Sequence, residues 1–169
     1  MSLDNTPAIY CGTYAKYNEG SLFGKWFDLD EFSDKDEFID ACMELHSDED
    51  DPELMFQDWE NIPGDMCSES GVSASVWDYM EACKARPQDA LDAYIDEFHP
   101  SNANAFEVGK FDDRFIGETS LRDYAEELFD ENEECPKHLR NYIDMDAYAN
   151  DLECGGGYAE RNGYLFRCD

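Results

Sequence analysis

The sequence predicts an α+β fold: an elongated chain of small α/β subdomains with short antiparallel sheets and short helices. Three observations lead there. Apolar residues recur at helical spacing only over short stretches, as in Phe38, Cys42 and Leu45. Clusters of Ile, Tyr, Trp and Phe bounded by Gly, Asn and Pro mark strands of a few residues. A length of 169 residues with a mean hydropathy of −0.70 gives thin cores, so two or three small units suit it as well as one ordinary domain.

In chain order, Ala8 to Leu29 reads as a β-hairpin or meander, with Ile9, Tyr10, Thr13, Tyr14 and Tyr17 as strand formers and Asn18-Glu19-Gly20-Ser21 as the turn. Gly24 to Leu29 returns as a strand. Ser33 is the expected cap of a helix that ends near His46, where a cation would suit the helix terminus. A third strand is expected over Glu53 to Trp59, and the turn-rich stretches at Pro63-Gly64 and Ser68 to Ser75 mark a boundary. Two short helices follow. One carries Val76, Trp77, Met80 and Cys83; the other starts at Pro87, points Ala90, Leu91, Tyr94, Ile95 and Phe98 inward, and stops at His99 to Asn102.

The last third opens with a segment of no clear pattern, Ala103 to Asp113, and then a strand at Arg114 to Gly117. Ser120 caps a helix with Leu121, Tyr124, Ala125 and Leu128 inward. Pro136 opens another with Leu139, Tyr142 and Ile143, and Met145, Tyr148, Ala149 and Leu152 keep the helical spacing. Gly155-Gly156-Gly157 breaks it before a terminal hairpin around Asn162-Gly163. The expected domains are 1–62, 63–102 and 103–169.

Charge dominates the chemistry. The chain holds 42 Asp and Glu against 12 Lys and Arg, a formal charge of −30, several times the magnitude of about 2 to 8 that keeps a small domain soluble. From Asp28 to Glu60 there are 15 carboxylates in 33 residues and one lysine, Lys35. Because Leu29, Phe32, Phe38, Ile39 and Trp59 are interleaved with them, this is a folded acidic surface and not a disordered tail. Asp36, Asp40 and Glu44 fall in a row, and Asp28, Asp30, Glu31, Asp34 and Glu37 crowd its start. Asp48, Glu49, Asp50 and Asp51 follow in the loop. Asp89, Asp92 and Asp96, then Asp123, Glu126, Glu127 and Asp130, form the outer faces of later helices. Like charges at i, i+4 destabilise a helix by about 0.2–0.5 kcal/mol each, so something other than stability favours them.

Duplex DNA carries one charge per about 1.7 Å, so 30 charges match about 50 Å of duplex. A globule of this length would be roughly 40 Å across, and an extended shape matches better. The same charge argues against binding nucleic acid or an anionic membrane directly. Seven cysteines without a C-x-x-C pair, no signal-peptide pattern and no spanning apolar run point to reduced thiols in the cytoplasm.

Catalytic and metal signatures are not found. Cys135-Pro-Lys-His138 lacks a second tight ligand pair for zinc, and Ser47 to Asp51 lacks the glycine and spaced ligands of an EF-hand. Gly155-Gly156-Gly157 precedes no helix with a lysine, and G-x-S-x-G, H-E-x-x-H and G-x-G-x-x-G are absent. No cofactor, metal ion or catalytic residue is expected.

Three blocks carry a family resemblance. They are Ile9 to Asn18 with Gly20-Ser21 and Gly24 to Phe27; Glu49 to Glu60; and Asp123 to Phe129 continuing through Pro136, Leu139, Tyr142, Ile143, Asp144, Tyr148, Ala149, Asp151 and Leu152. In this order, over nearly the whole chain, they resemble the ArdA antirestriction proteins. The resemblance implies a DNA mimic without an active site, elongated and curved, built of three small domains and carried on mobile genetic elements. It would dimerise through the C-terminal domain and occupy the DNA groove of a type I restriction-modification enzyme, against the specificity and methyltransferase subunits. Leu128, Phe129, Asp130, Pro136, Leu139, Tyr142, Asp144, Tyr148, Asp151 and Leu152 correspond to the antirestriction motif, near the dimer contact. The chain departs from the family pattern at the polar approach Asn132 to Cys135 and at Lys110, Arg114 and Arg122, which bring positive charge ahead of the motif. Two other readings remain: an acidic module for another basic partner such as a nucleoid protein, and a carboxylate- or metal-dependent hydrolase.

Overall fold

Strand formers at the start of the chain make β1 (Ala8–Thr13), with Ile9 and Cys11 buried. The structure is a computed structural model and describes residues 5–99 and 105–169. Tyr14 and Tyr17, expected as strand formers ahead of the turn, instead lie in a short helix, α1 (Tyr14–Asn18). Its start is fixed by Thr13, whose Oγ1 accepts from the Lys16 amide at 3.2 Å and donates to the Glu49 carboxylate at 2.6 Å. The same hydroxyl thus caps the helix and reaches a residue 36 positions away, where the strand preference of tyrosine alone would continue β1. After Gly20, whose φ of +83° suits the turn, the chain returns as β2 (Lys25–Asp28).

A 3-10 turn (Leu29–Glu31) leads into α2 (Lys35–Leu45). Its cap is Asp34 and not Ser33: the Asp34 carboxylate accepts from the Glu37 amide at 2.9 Å. Ser33 serves otherwise, its N–H and hydroxyl both donating to Glu37 at 2.7 Å. β3 (Leu54–Glu60) completes an antiparallel sheet in the order β2-β1-β3, with a bulge between Tyr10 and Cys11. Phe38 of α2 is fully buried, with Phe27, Phe32, Phe56 and Trp77 rings centred 5.6–6.0 Å away. These tilted and edge-on aromatic contacts form the core of the region.

β4 (Cys67–Ser68) and β5 (Gly71–Val72) pair as a minimal hairpin. It is joined to β3 by the bond from Phe56 N–H to Glu69 C=O, 2.8 Å. α3 (Ser75–Cys83) follows, and α4 (Gln88–Phe98) ends at His99, which has a positive φ of 45°. The expected helix end at Pro100 to Asn102 lies outside the described residues. The segment without a clear pattern contains α5 (Val108–Arg114), so Arg114 is helical and the next strand, β6, is Phe115–Gly117.

α6 (Leu121–Asn132) is capped by Ser120, which accepts from the Asp123 amide at 3.1 Å. The helix expected after Pro136 is one turn, α7 (Lys137–Arg140). A single turn cannot bury a face, and Leu139 and Tyr142 are 45% and 84% exposed. α8 (Met145–Cys154) is capped by Asp144. β7 (Tyr158–Arg161) and β8 (Tyr164–Arg167) form the terminal hairpin, with Asn162 and Gly163 at φ 51° and 83° as a two-residue I′ turn requires. The sheet order is β6-β8-β7.

The chain divides into two compact units, one holding Met1–Pro87 with Phe98–Val108, the other Gln88–Glu97 with Gly109–Asp169. In the second, Leu121, Ala125, Ala149 and Leu165 form a core with Tyr124, Tyr148 and Leu152 against it. Beside it, Tyr94, Phe111, Phe115 and Phe166 make a ring cluster. Three short antiparallel sheets and eight α-helices among the described residues make this an α+β protein.

Candidate functional site

With Phe38 and Cys42 of α2 buried, Asp36, Asp40 and Glu44 are left in water on another side, and none forms an ion pair among the described residues. Four residues of helix rise about 6 Å, so the three anions stand at regular intervals. Asp28, Asp30, Glu31, Asp34 and Glu37 are also exposed ahead of them. The two bonds from Ser33 hold the Glu37 carboxyl below the usual carboxylate range, which keeps it anionic.

The loop after α2 is pinned from within. Lys16 Nζ lies 2.8 Å from Asp48, 3.0 Å from Glu49 and 3.0 Å from Nδ1 of His46. An ammonium can only donate, so Nδ1 accepts and the Nε2–H of His46 donates to the Cys11 carbonyl at 3.3 Å. His46 is therefore a buried neutral spacer, not the helix-end cation expected from its position. Bonds from Thr13 and then Lys16 lower the Glu49 pKa, and the bond from Lys16 lowers that of Asp48. Burial works against the Lys16 charge, but its two carboxylate partners prevail and raise its pKa. Glu49 is half-buried, while Asp48, Asp50 and Asp51 project into solvent.

In the second unit Asp89 and Asp96 are exposed and Asp92 is half-buried. On α6, Asp123, Glu127 and Asp130 are exposed and Glu126 half-buried. Arg122 bridges α6 to α8, its Nε 2.8 Å from Asp146 and Nη1 3.4 Å from Glu126. Arg140 ties α7 to α6. It grips Asp130 at 2.6 Å and Glu126 at 3.1 Å and lies over the Phe129 ring, whose edge-on neighbour is Tyr148. The Asp130 carboxyl is held below its usual range by Arg140. Leu128, Tyr148 and Leu152 are half-buried, Pro136, Asp144 and Asp151 exposed, so this stretch is partly a packing unit and partly surface.

Sequence reasoning did not assign Lys16, Arg122 or Arg140 the part of internal counter-ions. Their partners are distant in sequence, and only the acid-rich surroundings hinted at it. It also left out a cleft beside α3 floored by Phe32 and Trp77. Among the described residues no three His, Cys, Asp or Glu side chains converge as metal ligands, and all seven cysteines are free thiols. No helix of the described residues is long and apolar enough to cross a membrane.

Comparison with known families matches residues 9–166 to the family described as Antirestriction protein (ArdA). Comparison with curated proteins finds no match.

Proposed function

Because this chain belongs to the ArdA antirestriction family, we propose that it acts as a DNA mimic, occupying the DNA groove of a type I restriction-modification enzyme through distributed carboxylates. The row Asp36, Asp40 and Glu44, exposed and unpaired on a helix anchored by Phe38, carries this reading. Such a row adds no stability, and a groove lined with Lys and Arg is the surface it complements. The partners are the specificity and methyltransferase subunits, met in the cytoplasm, and inhibition is by occupancy without chemistry. Two copies act together: Leu139 and Tyr142, exposed beside the Arg140 clamp, supply the apolar contact between them.

Purified protein should displace a labelled duplex from the methyltransferase core of a type I enzyme. The effect should fall by orders of magnitude between about 50 and 200 mM salt, as phosphate contacts do. Failure to displace at low salt, or displacement indifferent to salt, refutes the mimicry.

A further inference from the structure

The acidic surface of the first unit is not uniform. Between the 3-10 turn with the start of α2 on one side and α3 on the other lies a cleft of about 900 Å³. Its floor is apolar and aromatic: Phe32, Trp77 and the buried Met80. Its rim is anionic, with Asp30, Glu31, Glu37, Asp78 and Glu81 against the single Lys84, which pairs with Glu81. The indole N–H of Trp77 donates to the Phe32 carbonyl at 3.1 Å, and its ring packs 6.0 Å from that of Phe38. The floor is therefore set in place before anything binds.

A π face under carboxylates matches one side chain best. A guanidinium stacks flat on indole or phenyl while its edge donates to carboxylates in pairs, whereas an ammonium is a compact, strongly hydrated point charge. We propose that this cleft is an anchor for an arginine side chain of the protein partner, with room for the backbone that carries it. The proposal rests on the mimicry reading for the partner's identity but not for its chemistry. Arginine inserted here gains contacts that an exposed ion pair on α2 does not offer, so the cleft gives the distributed charge a fixed register.

Two measurements test it. In the displacement assay, the double variant Asp30→Asn/Asp78→Asn should lose about tenfold more affinity than Asp40→Asn/Glu44→Gln, which removes the same charge from outside the cleft; circular dichroism melts establish that both are folded. Equal losses overturn the anchor while leaving the mimicry intact. Separately, the indole N–H resonance of Trp77 in the wild-type protein is followed while an arginine-rich peptide, a lysine-rich peptide of equal charge, or spermidine is added. The arginine peptide should shift it most. This arm stands even if no type I enzyme is displaced. No shift, an equal shift with the lysine peptide, or a larger one with spermidine overturns the proposal.

Discussion

Replacing Asp40 with Asn and Glu44 with Gln should make the protein more stable and a poorer inhibitor at once. The substitutions remove the repulsive i, i+4 pairs Asp36–Asp40 and Asp40–Glu44, worth about 0.4–1.0 kcal/mol together. They also relieve Glu44 of its place in the last turn of α2, where the helix dipole disfavours an anion by about 0.3–1 kcal/mol. Both side chains are exposed and form no ion pair among the described residues, so nothing attractive within the chain is lost. The gain is about 0.7–2 kcal/mol, or roughly 2–6 °C in the melting temperature for a chain of this size. Binding moves the other way. Two exposed ion pairs with a basic groove are worth about 0.2–1 kcal/mol each, which is roughly a 2- to 30-fold loss of affinity. Scanning calorimetry and duplex displacement at low salt measure the two effects. A variant that melts lower, or that inhibits as well as the wild type, would refute the reasoning that this face is kept for a partner at the cost of stability.

Phe38→Ala should destabilise the first unit by about 3–5 kcal/mol, because four aromatic side chains lose their common neighbour, and its unfolding should be visible in Trp77 fluorescence. Lys16→Met should raise the titration midpoints of Asp48 and Glu49 toward the ordinary value of about 4. Their depressed values mean that the stability they lend is present above the ordinary carboxylate range and lost as pH falls below it; carboxyl NMR titration reads the shift, and unchanged midpoints would show that Lys16 does not pin the loop. Tyr142→Ala should leave the fold within about 0.5 kcal/mol of wild type, since the side chain is solvated. Sedimentation should then show weaker self-association, and an unchanged stoichiometry would place the contact elsewhere.

Local patterns were readable where local physics decides. The spacing of Phe38 and Cys42 settles the buried side of α2, Ser120 its position as a cap, and Asn162-Gly163 the final turn. The sequence is silent where a distant residue decides. Tyr14 and Tyr17 are good strand formers, yet they lie in a helix whose cap, Thr13, is itself held by Glu49. His46 reads as a terminal cation until Lys16 is found against its ring nitrogen. Leu139 and Tyr142 have helical spacing, yet one turn offers no face to bury. For the acidic surface, exposure follows from residue type alone, since unpaired Asp and Glu are almost never buried. The cleft does not, because it exists only once α3 has been tied to the turn before α2 by Trp77.

Lys16, Arg122 and Arg140 each sit among at least two of the chain's own carboxylates. They act as rivets at the seams, one holding a loop to a helix and two fastening helical segments together. An evolving lineage that traded any of them for a further acid would deepen its negative potential and loosen the scaffold displaying it. Useful acidity thus has a ceiling in this protein, set by how few basic residues can still brace the frame.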